Sequence, residues 1–341
     1  MPVLSQRRLS AQEALELFRM PLHALLHEAH KFKRALHGDR VYYSVNLHIN
    51  YTDYCVSRCA FCAFWRERES SRTLSVNEVI SAIHDGITEV HITGGLNPEL
   101  GIDYYEELIG KIRKNYPRIT IKAFTATEIA FIAEREGIST LEVLERLRRA
   151  GLDALPGGGA EILSERLHKR FFPRKAGPET WLRVHREAHS LGLRSNATAL
   201  FGHAETQEEI IGHLELLRDL QDETGGFMSF IPLPFQTGNN PLGRTMRPVP
   251  AHYILRVLAI SRLFLDNFPH IKAYWVMMGP RLAAVALASG ADDLDGTVGL
   301  ERVAHSAGAE SPVGLAESEI REIIGWAGGF PVKRDGLYTF S

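Results

Sequence analysis

At 341 residues the chain is long enough for two ordinary domains or one large barrel. Its 45% hydrophobic and 23% charged residues are those of an ordinary globular protein. The 39 basic against 41 acidic residues, a formal charge of −2, argue against a nucleic-acid or membrane-surface partner. No segment reads as membrane-spanning, because the most apolar, "IKAYWVMMGPRLAAVALASGA", is cut by Lys272, Pro280 and Arg281. The N-terminal "MPVLSQRRLSAQEALELF" lacks the apolar run of a signal peptide, so a cytoplasmic location is expected.

In chain order, the first 40 residues read as a helical extension. Buried strands are then predicted at "VNLHINYT" from 45, "TEVHITGG" from 88, "TIKAFTAT" from 120 and "LDALPGGG" from 152. Further strands follow at "RSNATALFG" from 194, "FMSFIPLPF" from 227, "IKAYWVM" from 271 and, more weakly, "DDLDGTV" from 292. Amphipathic helices separate them; Val76, Val79, Ile80 and Ile83, for example, make one apolar face. Ser10 with Glu13, Ser75 with Glu78, Ser139 with Glu142 and Thr206 with Glu209 have the spacing of capping boxes. Strands recurring every ~30–45 residues, the length of a βαβ unit, predict a parallel (β/α)8 barrel over 41–312. A C-terminal extension, 313–341, would pack on it. An open doubly wound sheet is the alternative.

The chemistry concentrates in "YTDYCVSRCAFCAF", residues 51–64, which hold all three cysteines of the chain. Cys55, Cys59 and Cys62 follow the first predicted barrel strand, so they fall at the C-terminal mouth where such barrels work. An odd number of close thiols is no disulfide framework. Three thiolates on one loop suit a single metal centre. A [4Fe–4S] cluster usually takes four cysteines, so here one iron would stay open. A zinc site completed by a histidine such as His48 is the alternative, although structural zinc sites usually use separate C-x2-C pairs.

The C-x3-C-x-aromatic-C pattern, with Phe61 as the aromatic, resembles the radical S-adenosylmethionine (SAM) superfamily. Within it, "VNLHINYTDYC", "HITGGLNPELGIDYYEEL", "AGLDALPGGGAEIL", "LRSNATALFGHAET", "LQDETGGF" and the stretch from Ile271 to Val298 resemble the aminodeoxyfutalosine synthase family over about residues 35–310. The dehypoxanthine futalosine cyclases share the cysteine motif and "PGGGAE". So does the half of the deazaflavin precursor synthase that joins tyrosine to a pyrimidine.

The resemblance implies that Cys55, Cys59 and Cys62 ligate a [4Fe–4S] cluster and that SAM chelates the open iron. It implies that Phe61 lies near the adenine and that Gly94 and Gly95 approach the SAM methionine. A Gly pair ending a strand is also an ordinary tight turn. It further implies that SAM is a consumed co-substrate. Its 5′-deoxyadenosyl radical would add to 3-[(1-carboxyvinyl)oxy]benzoate to give 6-amino-6-deoxyfutalosine for menaquinone, with a flavodoxin or ferredoxin as reductant. A non-enzymatic cluster carrier or sensor is a third reading, but a carrier would need a fourth ligand.

Several polar residues sit where such a site would form. Glu161, ending "PGGGAE", is placed to accept from the SAM ribose or to be a plain surface carboxylate. Asn196 and Thr198 alternate on one strand face, as SAM partners or as packing. His203, just past that strand, is a candidate proton donor or acceptor near the substrate. Arg194 and Arg281 are candidates for the substrate carboxylates. The histidines of "HREAH" (His185 to His189) and "HALLHEAH" (His23 to His30) lack the H-E-x-x-H order and read as ordinary helix faces.

Overall fold

A computed structural model describes residues 8–340. Ten strands run β1 (Arg40–Tyr43), β2 (Asn46–Asn50), β3 (Glu89–Thr93), β4 (Thr120–Ala123), β5 (Ala154–Leu155), β6 (Arg194–Phe201), β7 (Phe227–Pro234), β8 (His270–Ala273), β9 (Asp293–Leu294) and β10 (Phe330–Lys333). They form one sheet in the order β10-β1-β9-β8-β7-β6-β5-β4-β3-β2. Every pairing is parallel. From β2 to β9 the spatial order is the chain order, with helices between successive strands. A doubly wound sheet would reverse that order at a switch point, so the barrel reading holds.

The free side of β2 meets the segment after β9. His48 N–H donates to the Val298 carbonyl at 2.7 Å, and Val298 N–H donates to Asn46 Oδ1 at 2.8 Å. Val298 sits at φ 66°, a costly conformation for a β-branched residue that these two bonds help to hold.

All eight predicted strands are present, though the one at 152 shrinks to Ala154–Leu155 and "YWVM" turns helical at Trp275–Met278. β1 and β10 were not predicted. β10 contains Pro331 and pairs only with β1, an edge position where a missing N–H is tolerated. Three of the four expected capping boxes form. At Ser139 the hydroxyl accepts from Glu142 N–H without the reciprocal bond. An unpredicted box joins Thr125 and Glu128. Among the described residues no helix is long and apolar enough to cross a membrane.

The barrel interior carries a buried charge network. Lys122 pairs with Glu89 at 3.0 Å and Lys272 with Asp295 at 2.9 Å. Arg334, just past β10, makes a two-pronged bond to Asp293 at 2.6 and 2.8 Å. Burial works against the Glu89 carboxylate, but Lys122, Lys272 and Arg334 outweigh it and hold its pKa at about 2. Replacing one member strands its partner in a dry interior. Arg334→Ala is therefore expected to cost about 3–5 kcal/mol in denaturant unfolding of the metal-free protein. Arg8→Ala, which breaks a half-exposed pair with Asp222, should cost under ~1 kcal/mol. Equal losses would contradict this account of the network.

Candidate functional site

The cysteine loop is pinned from several sides. Val56 N–H bonds the Leu96 carbonyl at 3.0 Å, and Cys62 N–H bonds the Cys59 carbonyl at 3.1 Å. Between those two cysteines, Ala60 donates to the Phe171 carbonyl and accepts from Leu242 N–H, each at 3.0 Å. Ser57 Oγ lies 3.1 Å from Cys59 Sγ.

Gly94 and Gly95 explain how the loop can sit so low. A Cβ on Gly95 would lie 2.3 Å from the Tyr54 carbonyl oxygen and 2.8 Å from Cys55 Cβ; one on Gly94 would lie 2.6 Å from the Tyr51 ring. Neither glycine has a left-handed φ, so space rather than turn geometry demands them. Their amides are already engaged, Gly94 with Glu128 Oε1 at 3.0 Å and Gly95 with the Thr52 carbonyl at 2.8 Å. Glu128 also caps its helix and accepts from Tyr51 Oη at 2.8 Å; its burial pushes its pKa up to about 7.

Above the loop opens a cavity of about 320 Å3. The C-terminal part of every barrel strand reaches it: Asn50, Thr93, Thr125, Pro156, Leu200, Leu233, Tyr274 and Asp295 lie at or just past those strand ends. Cys55, Cys59, Cys62, Phe61, Gly94, Gly95, Glu161, Asn196 and Thr198 all line it. His203 does not. Its Nε2 lies 3.0 Å from the Leu200 carbonyl, its Nδ1 accepts from Ala204 N–H at 2.7 Å, and its side chain is buried outside the cavity wall. Arg194 and Arg281 are exposed and also absent from the wall; Arg194 begins β6, at the end opposite the mouth.

Lining residues that the sequence reading missed include Lys175, His91, Lys272, Tyr274 and Asp295. Lys175 is ion-paired with Glu161, and its Nζ lies 5.4 Å from the Phe61 ring centroid and 5.3 Å from that of Phe172. Burial works to lower the Lys175 pKa, but Glu161 and the Cys59 thiol outweigh it and raise it. Glu161 itself sits at φ 49°, an uncommon conformation that turns up at ligand clamps. Charged residues inside apolar strands, as in "TIKAF" and "HIKAYW", were the available signal for Lys122 and Lys272.

The donor set fits an iron–sulfur cluster better than one zinc ion. Zinc–sulfur bonds of about 2.3 Å would bring any two sulfurs within ~4.6 Å. Among the described residues, only His37, His270 and Asp292 bring three ligand atoms within 4.8 Å of one another, and the cysteines are not such a group. Sulfurs set wider apart suit a cube of several irons. Burial pushes the Cys59 thiol up to about 12 and raises that of Cys62, so metal loading must displace their protons.

A parallel barrel that brings three thiols to the wall of one cavity at its mouth has the architecture of an enzyme with a metal centre open to small ligands. Comparison with known proteins agrees. Residues 49–217 match the radical SAM superfamily, and residues 224–341 match the CofH/MqnC C-terminal region. The chain is 42% identical to the aminodeoxyfutalosine synthase of Thermus thermophilus, covering 98% of this chain and 93% of that one. It is 38% identical to the 5-amino-6-(D-ribitylamino)uracil–L-tyrosine 4-hydroxyphenyl transferase 1 of Methanosarcina acetivorans, covering 98% and 91%. It is 37% identical to the cyclic dehypoxanthine futalosine synthase of Streptomyces coelicolor, covering 97% and 85%. The crystal structure of methylornithine synthase superposes with a TM-score of 0.76 at 18% identity, over 96% of each chain, and shares the fold. The chain therefore belongs to the radical SAM superfamily and is an enzyme of that kind. The family works with a [4Fe–4S] cluster and SAM.

The Gly95 contact is testable. Gly95→Ala should displace the cysteine loop, so that anaerobic reconstitution yields far less bound iron and sulfide than in the parent protein, with unchanged far-ultraviolet circular dichroism. Full iron loading in that variant would show that the close approach does not matter.

Proposed function

We propose that the protein is an aminodeoxyfutalosine synthase. The observation that carries this reading is the 42% identity with such an enzyme along nearly the whole of both chains. Support comes from a three-cysteine loop that opens into a cavity of small-molecule size.

In this reading Cys55, Cys59 and Cys62 would hold the cluster as thiolates, and with no fourth cysteine in the chain SAM would complete its coordination. With cluster and SAM in place, the site would supply 5′-deoxyadenosyl radical chemistry for addition to the enolpyruvyl C=C of 3-[(1-carboxyvinyl)oxy]benzoate, giving 6-amino-6-deoxyfutalosine. SAM is thereby consumed. Phe61 offers a flat face to the adenine. Glu161 accepts from the ribose hydroxyls while staying paired with Lys175. Because the Gly94 and Gly95 amides are engaged within the protein, only their carbonyls are left to meet the SAM ammonium. Asn196 Oδ1 accepts from Ser229 at 3.0 Å, which leaves its amide N–H groups for a ligand. Thr198 donates to the Gly157 carbonyl at 2.8 Å and so can only accept from one. Apolar wall residues such as Leu200, Ile231 and Leu233 offer the radical few polar groups and exclude water.

The test is an anaerobic incubation of reconstituted, reduced enzyme with SAM and each candidate substrate in turn. The enolpyruvyl benzoate should yield an adenosine-linked aryl product. 5′-Deoxyadenosine formed only with dehypoxanthine futalosine would make the enzyme a cyclase. Turnover only with tyrosine and 5-amino-6-(D-ribitylamino)uracil would place it with the transferases. Cys59→Ala is expected to bind no stable [4Fe–4S] cluster, and retained iron and activity would refute its assignment as a ligand.

A further inference from the structure

The cavity has two ends. The cysteine loop, Phe61, Glu161 and Lys175 form one. The other lies deeper, where His91 precedes Gly94 on the β3 path by three residues, about 10 Å at strand rise. There the rings of His48 and His91 stack, with centroids 4.4 Å apart and planes at 18°. The Tyr274 ring lies nearly parallel to His48, 6.4 Å away at 16°. All three side chains line the cavity. His48 Nε2 lies 3.4 Å from Asn46 Nδ2 and 3.5 Å from Asp295 Oδ2. His91 differs: among the described residues, nothing hydrogen-bonds to either of its ring nitrogens. With no such partner among the described residues, the ring nitrogens of this part-buried imidazole are open to whatever occupies the cavity.

The charges around it say what kind of ligand. His91 faces His48 from β2, Glu89 from its own strand, Lys122 from β4 and Asp295 after β9. Lys272, Asp293 and Arg334 complete the surroundings. These are three fixed cations and three carboxylates, and each cation is already bonded to a carboxylate. An incoming anion finds no spare ammonium or guanidinium at this end. The imidazoles are the remaining source of positive charge. Burial and the neighbouring His48 hold His91 well below its ordinary pKa, so it is neutral in the free protein. A carboxylate brought against it reverses that balance and favours the imidazolium.

We propose that His91, backed by the stacked His48, is the anchor for the ring carboxylate of the enolpyruvyl benzoate and takes up a proton as that substrate binds. The inference rests on the functional reading above, which places the enolpyruvyl group beside SAM at the cysteine end. The opposite end of the same molecule then reaches the histidine pair.

Calorimetric titration of reconstituted, unreduced holoenzyme saturated with SAM tests this without turnover. The substrate is titrated near about pH 7.5 in two buffers of different ionisation heat, which reads the protons taken up. The parent enzyme should take up about one proton per substrate bound. 2-Phenoxyacrylate, which lacks the ring carboxylate, should bind with no uptake. His91→Gln, with unchanged iron content, should lose the uptake and bind the benzoate about 10- to 100-fold more weakly, the scale of a lost charge-assisted hydrogen bond. Binding of the benzoate by the parent enzyme without proton uptake, or equal uptake with 2-phenoxyacrylate, would overturn the assignment and leave the proposed function standing. Failure of the parent enzyme to bind the benzoate at all would overturn both.

Discussion

Everything at the mouth of this barrel depends on one close approach, the passage of the Gly95 backbone directly beneath Tyr54 and Cys55. With no side chain there, the loop after β2 can drop against the end of β3, and its three cysteines line the cavity. Ala60, bonded on one side to Phe171 and on the other to Leu242, fixes the far side of the same loop. The loop is therefore held by backbone contacts from the segment just after β3, from Phe171 and from the segment after β7, besides its own Cys62 to Cys59 bond. A loop supported in this way can stay ordered before any metal arrives.

The lower barrel is built on a different logic. Its interior is charged, and each charge is answered: Glu89 by Lys122, Asp295 by Lys272, Asp293 by Arg334. Such pairs contribute less to stability than apolar packing would, because desolvating each ion offsets most of its attraction. Their value lies in specificity. Arg334 reaches Asp293 only if β10 has paired with β1, so the network joins the C-terminal segment to the barrel strands in one register. Lys272 and Asp295 of this network line the polar end of the cavity, opposite the cysteines. In the proposed reading, a radical reaction would be enclosed between the cysteine loop and a charge-balanced floor.

How much of this was legible in the sequence follows from how local each signal is. The cysteine spacing, the Gly94–Gly95 pair and "PGGGAE" are short-range patterns, and all of them line one cavity. The barrel was legible because short buried strands recur every ~30–45 residues between capped amphipathic helices. β1 and β10 escaped because β1 runs almost directly into β2 and β10 is a four-residue edge carrying Pro331. The Thr125–Glu128 box was overlooked because "TATE" lay inside a stretch read as strand. Lys175 belongs to no motif, and its pairing with Glu161 depends on how the chain folds back after Phe172. His203 is absent from the cavity wall for a physical reason: the Leu200 carbonyl and Ala204 N–H engage both of its ring nitrogens locally. Arg194 could have been set aside on sequence grounds, because the first residue of a barrel strand lies at the end away from the mouth.

The central claim is that three thiolates hold a cluster whose remaining iron belongs to a small molecule rather than to the protein. Metal analysis joined to low-temperature paramagnetic resonance of the reduced protein, recorded with and without SAM, tests it most directly. The account predicts about four irons per chain and a reduced-cluster signal that changes when SAM is added. Zinc in place of iron, or a cluster signal indifferent to SAM, would contradict it.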